Sequence, residues 1–260
     1  MKRLVLPIAL TIAHDPQDAL LRAIADRVAH LTKDPSKTEL EYTHYSVIQD
    51  KERRCPMITA ANVDGSQYFE IERDGTWVFD GRIPREYQLG NEAYKNNPID
   101  KGHMTRRKDP MWGDQQTASR GSADTFVYTN CALQHSELNQ HEWLDLENFI
   151  LNRAVENKQK VSVFTGPVLN ENDPSFNNKG KVSPPTQMPM AFWKVAVWNE
   201  PGQGLKGEAY VMSQKDIIGH GDAQPTDFHM TKAEEFAKYR VSLQDLEKMT
   251  SIHFGPIKNA

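Results

Sequence analysis

A histidine set between a glycine and a run of cations is the first place where residue types and spacing suggest chemistry. Asp100-Lys101-Gly102-His103-Met104-Thr105-Arg106-Arg107-Lys108 puts four Lys or Arg into residues 101–108 of a chain with a formal net charge of -4. An imidazole titrates close enough to neutrality to take a proton from water. Gly102 allows a tight turn that would present it. Clustered cations suit an anionic, phosphate-bearing substrate. The plainer alternatives are a solvated charge run and a structural histidine, one of 9 in the chain.

A second cluster lies downstream, from Thr129-Asn130-Cys131 through His135 and Asn139-Gln140-His141-Glu142-Trp143 to Glu147. Amide and carboxylate oxygens are hard ligands of the kind Mg²⁺ prefers, and Mg²⁺ keeps several of its waters. On one regular helix, Asn139 and Glu147 would be separated by about 12 Å of rise and roughly 80° of turn. They would share a side without both touching one ion, so one would act through water. His135 and His141 are six apart, the wrong spacing for a helical zinc pair, and no third soft ligand is near.

These groups need elements to hold them. Asp15, Pro16 and the apolar positions Leu20, Leu21, Ile24, Val28 and Leu31 predict a helix after an extended arm at Leu4–Ala13. Strands are predicted at 42–48, 57–63, 77–79, 126–128, 161–165, 191–197 and 209–212, with turns at Asp64-Gly65 and Asp74-Gly75. A helix is predicted over 138–156, with Trp143, Leu146, Phe149, Ile150 and Ala154 on its apolar face. Thr231 with Glu234, and Ser242 with Asp245, open two short C-terminal helices. Residues 80–125 are polar and aperiodic, too long for an ordinary connection and therefore expected to be functional. Strands and helices mix without βαβ alternation, so the expected class is α+β with a central antiparallel β-sheet flanked by helices. The division expected is an N-terminal arm and helix over 1–39 and one domain over 40–260.

Asp-Lys-Gly-His, then Thr-Asn some 26 residues on, then Asn-Gln-x-x-Trp-x-x-Leu-Glu resembles the DNA/RNA non-specific endonucleases, the ββα-metal, endonuclease G-like family. Arg53-Arg54, Ala61-Asn62-Val63-Asp64-Gly65, Phe164-Thr165-Gly166-Pro167-Val168 and Pro189-Met190-Ala191-Phe192-Trp193-Lys194 extend the likeness over roughly 40–256. The resemblance implies a ββα-metal motif and a Mg-dependent endonuclease, with Mn²⁺ as an alternative ion, that hydrolyses DNA and RNA to 5′-phosphate products. It implies that His103 is the general base, Asn139 the sole direct protein ligand of the metal, and Glu147 the carboxylate holding the ion's waters. Asn130 would brace the site and Asp100 would shape the histidine turn. The family's upstream phosphate-binding arginine has two candidates here, Arg82 and Arg85. Lys101 departs from the family's usual arginine and loses its planar fork; Arg106 and Arg107 are the candidates to compensate.

Composition sets the outer limits. Across 260 residues, 38% are hydrophobic and 25% charged, which excludes collagen-like and wholly disordered chains. No apolar run approaches the roughly 18 residues of a membrane span. Two cysteines, Cys55 and Cys131, exclude a disulfide scaffold or a four-cysteine zinc site, and two free thiols are expected. The acidic balance means that nucleic-acid affinity must come from a local patch. Trp112 and Trp143 are candidates to stack on bases, with core packing favoured for Trp143. The rival readings are a catalytically impaired module that binds nucleic acid or a protein, supported only by Lys101, and a nuclease effector or toxin held silent by an inhibitor or regulatory partner. A cytoplasmic location is favoured over secretion or delivery because Met1–Ala13 is short for a signal peptide and holds Pro7.

Overall fold

The computed structural model describes residues 37–219, 236–255 and 257–260. The expected arm at Leu4–Ala13, the helix after Asp15 and the helix start at Thr231 lie outside them. The chain runs β1 (Lys37–Tyr42), β2 (Tyr45–Asp50), β3 (Cys55–Asp64), α1 (Asn91–Tyr94), β4 (Ile99–His103), α2 (Gln115–Asp124), β5 (Cys131–His135), α3 (Ser136–Gln140) and α4 (Glu142–Glu156). It continues through β6 (Lys160–Pro167), β7 (Ser175–Phe176), β8 (Thr186–Gln187), β9 (Ala191–Glu200), β10 (Gly204–Ser213), α5 (Lys215–Gly219), β11 (Arg240–Val241), α6 (Leu243–Thr250) and β12 (Lys258–Asn259).

Eight of these strands form one sheet in the order β1-β2-β3-β6-β9-β10-β11, with β12 also on β10. Its pairings are antiparallel except for the short parallel β10–β12 contact. Both faces are covered, so the central strands read as nearly continuous apolar runs. The alternation of β9 shows how the two cores separate. Trp193, Val195 and Val197 pack with Leu243 and Leu246 of α6 and with Phe254. Phe192, Ala196 and Trp198 pack on the opposite face with Trp143, Leu146 and Ile150 of α4. Met104, Ala132 and Leu138 join that second core, which anchors the β4–β5–α3 unit to the sheet. The fold is therefore α+β, a large antiparallel sheet flanked by helices and carrying a ββα unit on one face.

Several elements differ from expectation. The predicted strand 42–48 is a hairpin, because His44 turns with a φ of 63° between β1 and β2. Residues 77–79 and 126–128 form no full strand; their backbones pair at a single Val78–Val127 bridge, and their aromatic rings pack across it. Residues Cys131–His135, outside the predicted strands, form β5, paired residue for residue with β4. The long predicted helix is broken at His141 (φ -119°, ψ -102°) into α3 and α4. Ser242 does cap α6, accepting from the Asp245 amide. Trp143 is buried in the core, and Trp112 is not free to stack on bases. Its ring lies 3.5 Å from that of His44, centroid to centroid, and its Nε1 donates to the Asn62 carbonyl. Cys55 and Cys131 are both buried free thiols. Among the described residues, no helix is long and apolar enough to cross a membrane.

Candidate active site

The antiparallel register of β4 and β5 sets Asp100 opposite Gln134, Gly102 opposite Ala132 and His103 opposite Cys131. Gly102 is extended rather than turned. Its lack of a side chain serves close approach, since a Cβ there would lie 2.3 Å from Gln134 Oε1 and 2.6 Å from Gln134 Cβ. His103 therefore ends a strand, and its ring is crowded by Trp77 at 4.7 Å and Phe126 at 5.2 Å. Its Nε2 is buried without a hydrogen-bond partner. Burial, reinforced by the positive charges of Arg73 and Arg107, lowers the pKa of this imidazole to about 3. Behind it, Asn130 is fully buried and knits the turn together. Its Oδ1 accepts from the Thr105 amide at 2.9 Å, and its Nδ2 donates to the carbonyls of Thr105 and Thr125.

Asn139 lies on α3, directly after the hairpin. Its Nδ2 donates to Asp100 Oδ2 at 2.9 Å, and Gln140 Nε2 donates to the same oxygen at 2.8 Å. Asp100 thus fixes the Asn139 amide, with the amide oxygen on the side away from that bond. Glu147 comes from α4, beyond the break at His141, and is 8% exposed. Its Oε1 lies 3.4 Å from Lys194 Nζ and its Oε2 lies 3.8 Å from Arg106 Nε. Burial raises the Glu147 pKa, and the Lys194 and Arg106 charges oppose the rise. Arg106 also donates to Asn148 Oδ1 at 2.5 Å and keeps a buried Nη1 with no hydrogen-bond partner.

His103, Asn139, Glu147, Asp100, Lys101, Arg106 and Arg107 all line one cleft of about 730 Å³, together with Arg73, Trp77, Lys108, Gln140 and Leu144. Arg82 and Arg85 do not line it. Arg82 is held by Asp80 and the Glu41 carbonyl, and Arg85 by Glu92 and the Gln88 carbonyl. Arg73, from the exposed segment before Trp77, is the upstream cation that faces the cleft. Nothing in its acidic surroundings marked it in the sequence. Lys194 carried a signal, as a lone charge inside an apolar strand. Arg107 donates to the Ile71 carbonyl, and Lys108 donates to Glu70, which pins that segment beside the site.

The residues fit a hard divalent cation. Among the described residues no three His, Cys, Asp or Glu side chains gather to cage a metal. The donors at hand are oxygens, the Asn139 amide and the Glu147 carboxylate, both on the cleft wall. Few protein oxygens and many waters is the habit of Mg²⁺.

The chain is similar to known proteins. The model of the family described as DNA/RNA non-specific endonuclease matches residues 26–259. The uncharacterised protein y4fB of Sinorhizobium fredii is 35% identical over 188 residues, covering 68% of this chain and 27% of that protein. Mitochondrial endonuclease G of Homo sapiens is 25% identical over 184 residues, covering 68% of this chain and 55% of its own length. The chain therefore spans less than two thirds of either relative. A solved structure of the EndoG/EndoGI complex superposes with a TM-score of 0.66 at 17% identity, covering 89% of this chain and 93% of that one.

Proposed function

The chain belongs to the DNA/RNA non-specific endonuclease family, and from that premise we propose that it hydrolyses phosphodiester bonds in DNA and RNA, with His103 as general base and a divalent ion, Mg²⁺ by ligand chemistry, at Asn139. The observation that carries the reading is convergence: His103 from β4, Asn139 from α3 and Glu147 from α4 line one cleft with five cations.

Held neutral, the imidazole can accept a proton at physiological pH without first losing one. Its Nε2 is covered, so Nδ1 is the nitrogen offered to a water in the cleft. That water, once deprotonated, attacks phosphorus; the P–O3′ bond breaks, and the 3′-oxygen leaves and takes a proton from solvent, giving a 5′-phosphate end. Arg73, Lys101 and Arg107 line the cleft in which the phosphate would lie and would counter the negative charge that builds on it. Asn139 would hold the ion directly and Glu147 would hold its waters, and the bound ion would supply Lewis-acid stabilisation of the phosphate and leaving oxygens. Asp100 keeps the Asn139 amide turned for that task. Cations directed at the backbone carry no base information, which fits cutting without sequence preference.

The test is plasmid nicking and RNA digestion with Mg²⁺, wild type beside His103→Ala, with folding checked by circular dichroism. Both substrates are expected to be cut by the wild type and spared by the variant. Equal cutting by the two proteins would sink the assignment of the base, and a folded wild type that cuts neither substrate would sink the activity.

A further inference from the structure

The centre of β9 is buried on both faces, and between Trp193 and Val195 it carries a lysine. Lys194 is 1% exposed. Its ammonium donates to Thr165 Oγ1 of β6 at 2.7 Å, lies 3.4 Å from Glu147 Oε1 and stands 5.1 Å from the centre of the Trp143 ring. Register explains the approach: Thr165 and Lys194 are direct cross-strand partners. Both aim at the face on which α4 packs.

A buried ammonium is costly, and an apolar residue of similar length would commonly be as stable or more so. The neighbours in the strand need no charge. What the lysine meets is the underside of Glu147, which Arg106 approaches from the other carboxylate oxygen. Two cations on two oxygens leave a carboxylate little freedom to rotate. Thr165 in turn fixes the ammonium, so the chain of contacts runs from the sheet, through Lys194, to the cleft.

We infer that Lys194 is a positioning residue for the reaction: anchored by Thr165, its ammonium grips Glu147 Oε1 from within the sheet and sets the orientation in which Glu147 serves the cleft. This rests on the reading of Glu147 as the carboxylate that holds the metal's waters. Lys194 touches no substrate and acts only through Glu147.

The experiment is a double-mutant cycle in the full chain, with Lys194→Met, Glu147→Gln, the pair together, and Thr165→Val. Each protein is followed by Tm, by the Mn²⁺ dissociation constant from electron paramagnetic resonance, and by kcat and KM on plasmid DNA. Lys194→Met is expected to weaken Mn²⁺ binding and lower kcat by about tenfold to a hundredfold, as loss of an outer support of a metal site does. KM should stay near the wild-type value. In the Glu147→Gln background the same substitution should change neither quantity further. Thr165→Val, which keeps the ammonium and removes one anchor, should move both the same way by less.

Independent, multiplying losses in the double variant would overturn the inference. So would unchanged Mn²⁺ affinity and kcat in a folded Lys194→Met protein. Should Lys194→Met fail to fold, wild-type values in Thr165→Val would overturn it equally. Failure of the underlying reading looks different: Glu147→Gln alone would then leave the Mn²⁺ dissociation constant and kcat at wild-type values.

Discussion

Crowded by Trp77 and Phe126 and faced by Arg73 and Arg107, His103 is held near pKa 3, far under the ordinary histidine range. As the proposed base it is therefore in the neutral form that role needs across the usual assay range, and kcat/KM should show no step near pH 6.5. Its acid limb should fall well below that, and Arg73→Gln, which removes one opposing charge, should shift the limb upward. Stability carries the same signature. An unfolded histidine takes up a proton below about 6.5, whereas the folded one does so only near 3. Between those values the unfolded chain binds more protons, so stability should fall as pH falls through that window. Denaturant titrations at several pH values on wild type and His103→Asn would show the slope shrinking in the variant. His103, Asn139 and Glu147 were legible in the sequence because hard and titratable side chains stood out at a telling spacing. Arg73 and Trp77 reach the site only through tertiary packing, and no local pattern reveals that, whereas Lys194 stands out only as a lone charge in an apolar strand.

The β4–β5 hairpin and the helices after it decide where those groups sit. A methyl group at residue 102 would run into Gln134, so Gly102→Ala should cost about 1–3 kcal/mol by overpacking and displace His103 as well, lowering Tm and kcat together. Asn130→Ala should cost a similar amount, roughly 1–3 kcal/mol, by stranding the Thr105 amide and two carbonyls in the interior. Thermal melts beside plasmid-nicking rates check both. These elements were also the hardest to read. Asp100, Lys101, Gly102 and Gln134 have poor strand propensity, and the hairpin exists because each strand satisfies the other while Met104, Cys131, Ala132 and Leu133 are buried behind it. By contrast α4, β6, β9 and β10 were readable, since their apolar periodicity is decided by the large core they face. The break at His141 left no trace in the helical pattern, yet it separates Asn139 and Glu147 onto two axes and removes the constraint that one regular helix would impose.

At the scale of the molecule, cations concentrated in one cleft of an otherwise acidic protein should make binding strongly salt-dependent. Four cleft cations not already committed to Glu147 (Arg73, Lys101, Arg107 and Lys108) imply a log–log slope of affinity for duplex DNA against salt of about -3.6. Fluorescence anisotropy with labelled DNA and a His103→Ala protein measures it, and Arg73→Ala should reduce the slope by about 1. The order of the sheet has a further consequence, in the timing of synthesis. His103, Asn139 and Glu147 all leave the ribosome before β9, yet β9 lies between β6 and β10 and forms the floor beneath them. Until residues 191–200 have emerged and paired, β6 keeps an open edge and α4 lacks its contacts with Phe192, Ala196 and Trp198. Domains fold as units once their parts are present. A growing chain thus holds His103, Asn139 and Glu147 in unassembled form beside the ribosome's own RNA, and the proposed activity would arise only when the sheet closes beneath them.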